Sequence, residues 1–174
     1  MIRIGIDPDS KNIGVAILEN GKIRIERYRI YDFLYNVIPI WEKLYKEFCR
    51  QGKFGSMKIY LEGGWLNSHY GHSTESAMII SNIARKVGMN HQVGLIIEET
   101  LYNKDFKYET VKPVSVSKYK AIHEKITHPQ MCKMLDDFGV EYKFKKSNQD
   151  ERDSVLLLMH YEFERQPENS LNKM

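Results

Sequence analysis

The sequence predicts an α/β domain built on a mixed sheet of five strands. An antiparallel three-strand meander comes first, parallel strands extend it, and helices flank it. Three observations predict this. The first thirty residues alternate apolar and polar positions at period two and contain Asn20-Gly21, a strong two-residue hairpin signal. Two later apolar runs, Met57 to Glu62 and Val93 to Ile97, read as further strands. Stretches with helical periodicity follow the meander and separate those runs, which is the kind of crossover that parallel strands need.

Taken in order, Ile2, Ile4 and Ile6 define a first strand that ends on Asp7, where Pro8 stops the pairing. Asp9 to Asn12 is a polar turn, Gly14 to Leu18 a second strand, and Lys22 to Ile30 a third. Phe33, Val37, Ile40, Trp41, Leu44, Tyr45 and Phe48 recur at helical spacing. They predict a helix over Asp32 to Arg50 that is kinked by Pro39 or begins near Ile38. Gln51 to Ser56 turns into the Glu62 strand. Gly63 to His72 is a loop carrying Trp65, His69 and His72.

Ser73 is placed to cap a helix running to about Gly88, with Ala77, Ile80, Ile83, Ala84 and Val87 as its apolar stripe. Val93 to Ile97 is expected to be the fifth strand. Residues 98–115 give no clear pattern; Glu98-Glu99 is either a further ligand or a solvated pair. A short helix is expected over Val116 to Lys125. The next starts at Thr127 or His128, with Pro129 in its first turn and Gly139 at its end. Asn148 and Glu151 have capping-box spacing at the head of a last helix, which puts Asp150 in a first turn that favours an ionised carboxylate. Residues 1–165 are expected to form one domain and 166–174 a frayed tail.

With 42% hydrophobic and 28% charged residues the chain is globular rather than disordered. No apolar run reaches the roughly 18 residues of a membrane span, and Arg3 and Asp7 interrupt any signal-like N-terminus. Cys49 and Cys132 lack metal or disulfide spacing, so reduced thiols in a cytoplasmic protein are expected. Net charge is only +3, but residues 101–146 hold ten lysines against six acids. That local excess suits a polyanion beside an acidic pocket, or else a solvated lysine-rich surface.

Three features carry the chemistry: Ile4-Gly-Ile-Asp7-Pro followed by Gly14, Leu61-Glu62, and Gln149-Asp-Glu-Arg-Asp153. Asp150 and Asp153 share one helix face. The ordered set resembles the RuvC family of Holliday-junction resolvases in the RNase H-like superfamily, over nearly the whole chain. The resemblance implies an RNase H-like sheet and catalytic, metal-binding roles for Asp7, Glu62, Asp150 and Asp153. Hard oxygen donors in that number point to two Mg²⁺ ions, with Mn²⁺ as a substitute.

The resemblance also implies a homodimer, with the helix after Ser73 as the contact, and four-way DNA junctions as substrate. Trp65 takes the place of a wedge residue, or else folds back onto the core. Lys112, Lys118, Lys120, Lys125, Lys143, Lys145 and Lys146 are the expected DNA contacts. Other readings are an RNase H-like nuclease acting on other branched DNA or RNA–DNA hybrids, a junction-binding protein without catalysis, and an actin-like ATPase. The chain is too short for the two domains of the last.

Overall fold

The computed structural model describes residues 1–66, 77–114, 117–120 and 124–164. The elements are β1 (Ile2–Asp7), β2 (Ile13–Glu19), β3 (Lys22–Tyr28), α1 (Ile30–Asp32), a π-helical turn (Phe33–Val37) and α2 (Ile38–Arg50). There follow β4 (Met57–Glu62), a 3₁₀ turn (Gly64–Leu66), α3 (Ala77–Asn103), β5 (Tyr108–Val111), α4 (His128–Asp137), β6 (Glu141–Tyr142), α5 (Gln149–Met159) and a second π-helical turn (His160–Glu164).

The six strands lie in the order β5-β4-β1-β2-β3-β6. β2 is antiparallel to β1 and β3, while β4, β5 and β6 join in parallel. This is the expected mixed sheet, a three-strand antiparallel meander extended by parallel strands, with one short strand added at its edge. Asn20 and Gly21 both take positive φ, as the expected hairpin turn requires.

The alternation read from the sequence sets the two faces. Ile2, Ile4, Ile6, Ile13, Val15, Ile17, Met57, Ile59 and Leu61 pack under Phe33, Ile38, Trp41, Ile97 and Leu101 of α2, α3 and the π turn. Ala16, Leu18, Ile23, Tyr60 and Val111 pack on the other side under α4 and α5. Because Ile6 and Leu61 point to the first face, Asp7 and Glu62 point to the second, where α5 lies.

The helix after β3 begins its regular α course at Ile38, and the π turn just before it takes up the disturbance of Pro39. The fifth strand is not Val93 to Ile97. Those residues lie inside α3, whose buried Ile97 and Leu101 continue a four-residue stripe from Val93. Leu95 and Ile96 face outward, so the helical period overrides the β-branched composition. The fifth strand is β5, in the stretch that gave no pattern. Gly88 is internal to α3 rather than its end.

The expected helix over residues 116–125 is not seen where the chain is described: Ser117 to Lys120 form a tight turn closed by an isolated bridge. Ser73, His69, His72, the side chains of Ala77 and Ile80, and the expected tail lie outside the described residues. No described helix is long and apolar enough to cross a membrane.

Candidate active site

The C-terminal end of β1 delivers Asp7, and that of β4, its parallel neighbour, delivers Glu62. α5 crosses this end of the sheet, and two glycines let it approach. A Cβ on Gly5 would stand 2.5 Å from the Ser154 carbonyl oxygen, and one on Gly14 would stand 2.2 Å from that of Asp150. Gly14 pairs with Asp7 across β1 and β2, so this contact seats the head of α5 beside the Asp7 carboxylate.

The head itself is fixed locally. Asn148 Oδ1 accepts from the Glu151 amide at 3.0 Å, and Glu151 Oε2 accepts from the Asn148 amide at 2.8 Å, completing the expected capping box. Arg152 donates to the carbonyls of Ile126 (2.9 Å) and Ser147 (2.6 Å) and to Gln149 Oε1 (2.8 Å). Gln149 in turn donates to Asp153 Oδ1 at 2.6 Å. Asp153 is thus oriented by its own helix and by the loop before α4.

Two adjoining cavities, of about 190 and 210 Å³, share Glu62 and Pro113. Asp7, Trp65, Asn90 and His91 line the first, and Lys120, Glu124, Lys125 and Asp153 the second. As whole residues Asp7 and Glu62 keep partial exposure to these cavities, but their carboxyl groups are crowded by protein.

Burial pushes the Asp7 carboxyl well above its ordinary range, and the negative charges of Glu62, Asp153, Asp150 and Asp9 push it further. Burial and Asp153 raise Glu62 to about 7, against the pull of Lys120 and Lys125. Asp150 is raised by burial and by Asp9, and Asp153 by burial; Lys125 opposes both. Four carboxyl groups from three separated segments therefore feel one another, and the nearby lysines do not neutralise them.

That excess is what a divalent cation relieves, and all-oxygen donors suit Mg²⁺ or Mn²⁺. In charge and donor type the residues fit such ions. Among the described residues, no three acidic, histidine or cysteine side chains stand close enough to make a ready-formed coordination shell. Asp7 and Glu62 line the first cavity and Glu62 and Asp153 the second, without closing into a cage, and Asp150 lines neither.

The remaining sequence candidates divide. Lys120 and Lys125 stand at the carboxylates. Lys112, Lys118, Lys143, Lys145 and Lys146 are exposed and line neither cavity. Lys118 lies over the rings of Tyr119 and Phe138, at 4.8 and 4.9 Å. Trp65 lies back against α3. Its ring fills the notch at Gly94, where a Cβ would come within 2.2 Å, and meets His91 edge-on. Glu98, weighed as a ligand, accepts a hydrogen bond from Thr110 and ties α3 to β5.

Two residues at the site, Asn90 and His91, were not read from the sequence. Asn90 Oδ1 accepts from the Ser10 amide at 2.9 Å, and its Nδ2 donates to Asp9 at 2.9 Å, clamping the turn after Asp7 onto α3. His91 follows on the same helix. No local signal marks them, because the partners of Asn90 lie eighty or more residues away and His91 meets Trp65 from the loop after β4.

No protein-family model and no curated protein matches the chain. Among solved structures it is similar to Thermus thermophilus RuvC in complex with a Holliday junction substrate. That chain is 12% identical, with a TM-score of 0.49, over 91% of this chain and 90% of the other. It is also similar to a second structure of Thermus thermophilus RuvC, 14% identical, with a TM-score of 0.46, over 91% and 92% of the two chains.

Proposed function

We propose that this chain is a metal-dependent DNA endonuclease that cuts branched DNA, with four-way junctions as its substrate. The observation that supports the reading is that Glu62, Asp153 and Asp150, from a second strand end and one helix, all raise the Asp7 carboxyl at the end of β1, with Lys120 and Lys125 leaving Glu62 still raised. The choice of junctions among branched substrates comes from the sequence resemblance.

Asp7, Glu62 and Asp150 or Asp153 are the residues that would hold the divalent ions, with Asp7, between Glu62 and the α5 pair, common to both. When bound, Mg²⁺ or Mn²⁺ would supply Lewis acidity for phosphodiester hydrolysis. Lys120 and Lys125 hold the phosphate from the side opposite Asn90 and His91. Trp65 contributes an apolar wall rather than a probe into the DNA, and the outlying lysines steer the polyanion from a distance. Two copies joined through the exposed Met78, Ile79 and Ile83 of α3 would cut symmetrically.

The test is cleavage of a synthetic four-way junction in Mg²⁺, compared with a linear duplex and an RNA–DNA hybrid, with native mass measured alongside. Asp7→Asn is expected to lower cleavage by at least about 100-fold, the scale of losing a group that stabilises transition-state charge, while junction binding survives. Cleavage at the parent rate by Asp7→Asn would refute the site. Preference for the hybrid would move the assignment to another RNase H-like nuclease.

A further inference from the structure

We propose that the end of β3 and the turn after it form a second DNA contact, in which Arg27 and Arg29 take backbone phosphates and the Tyr31–Tyr35 pair stacks on bases of an unpaired strand leaving the carboxylate pocket. The identity of the partner rests on the nuclease reading above; the surface rests on the following geometry.

Asp7, Gly14 and Arg27 lie in one line across β1, β2 and β3. Two strand spacings separate the ends of that line, about 10 Å. Gly14 and Arg27 lie in the same register as Ala16 and Ile25, which pack toward α5, so Arg27 belongs to the face that carries the head of α5. Its positive charge also reaches Asp150. The pocket therefore has cations on two sides, Lys120 and Lys125 on one and Arg27 on the other. A chain molecule threaded past the carboxylates must leave on both sides, and each exit is basic.

The other cations of β3 are occupied. Lys22 pairs with Glu141 at 3.1 Å and Arg24 with Glu26 at 3.0 Å. Arg27 and Arg29 are exposed, and neither has an acidic partner within salt-bridge distance among the described residues.

The tyrosines follow at once. Phe33 is buried against Trp41 and Tyr28, which fixes the turn and leaves Tyr31 and Tyr35 outside it, 66% and 64% exposed. Their rings lie 4.6 Å apart at 34° to each other. Neither belongs to the core. From Arg27 to Tyr31 the chain can span at most about 14 Å, some four nucleotides at 3.4 Å each. An exposed aromatic pair a few residues along the chain from exposed arginines, around the edge of β3, fits a polyanion with flat bases better than an apolar protein surface. Bases must be unpaired to offer their faces, which at a branch point requires the pairs beside it to open.

The test measures binding in an Asp7→Asn background, by fluorescence anisotropy, with labelled oligothymidylate, blunt duplex and a four-way junction. Tyr31→Ala/Tyr35→Ala is expected to weaken oligothymidylate and junction binding about tenfold or more and duplex binding about twofold or less. Tyr31→Phe/Tyr35→Phe keeps the rings and should keep the affinity. Arg27→Ala/Arg29→Ala should flatten the slope of log K against log salt by about 1.4 for the single strand. Parent affinity for all three probes in both alanine pairs overturns the contact, even if Asp7→Asn has abolished cutting. If Asp7→Asn still cuts, the pocket reading fails while these binding ratios still decide the surface. Equal loss on duplex and single strand also overturns the stacking role.

Discussion

Protonation separates the pocket residues from ordinary carboxylates. Glu62 has an ordinary value of 4.5 and is raised to about 7 in the fold. Between those values the folded state holds a proton that the unfolded chain has released, so metal-free stability must fall as pH rises. Asp7, Asp150 and Asp153 are raised too and act in the same direction. The melting temperature in EDTA is therefore expected to drop between about pH 5 and 8. Asp7→Asn should raise it at pH 8, by about 2–4 °C for each kcal/mol of repulsion removed. A melting temperature that climbs over that range would show the carboxyl groups to be compensated by something else.

At the scale of elements, the pocket exists because α5 can touch the sheet. The clashes at Gly5 and Gly14 are with backbone atoms of α5, which cannot swing aside as a side chain does. Gly14→Ala should push the head of α5, and Asp150 with it, away from Asp7, destabilising the fold by about 1–3 kcal/mol. Denaturant unfolding measures the cost, and unchanged stability would mean that α5 lies further off. Asn90 links the turn after Asp7 to α3 through Asp9 and Ser10. Asn90→Ala leaves those polar groups unpaired, an expected loss of about 1–3 kcal/mol. Faster amide exchange at Ser10 and Lys11 would report the released turn.

Several of these placements were legible beforehand. Isoleucine at every second position of β1 points Asp7 away from the Ile face, and Leu61 does the same for Glu62. Asn148 and Glu151 declared the start of α5 by spacing alone, as Pro129 did for α4. Val93 to Ile97 reads as a strand because a short apolar run looks alike in a strand and in a buried helix; only the distant partner of Ile97 and Leu101 decides. β5 shows no period in the sequence because Tyr108 to Val111 has too few apolar residues, and pairing with β4 makes it a strand. The Asn90 clamp needed tertiary structure, and so did the retreat of Trp65 into the notch at Gly94.

Over the whole molecule, charge is sorted around the pocket more than it is accumulated. A net charge of +3 says little by itself. On the nuclease reading, carboxylates flanked by Lys120, Lys125 and Arg27 would repel a polyanion when metal-free and accept it once divalent cations are in place. Binding of a divalent ion to the folded state alone should raise the melting temperature with ion concentration, since the gain grows as RT ln(1 + [L]/Kd). The rise should be larger at pH 8 than at pH 6, because Glu62 must lose its proton to become a ligand.

The most direct measurement is calorimetric titration of the metal-free protein with Mn²⁺, at pH 6 and pH 8, for the parent chain and Asp7→Asn. Binding to the parent that tightens with pH and releases protons, and that Asp7→Asn weakens by at least about tenfold, is the expected result. Mn²⁺ binding that is absent from the parent, or equal in the two proteins, would contradict the claim that these carboxylates form one metal site.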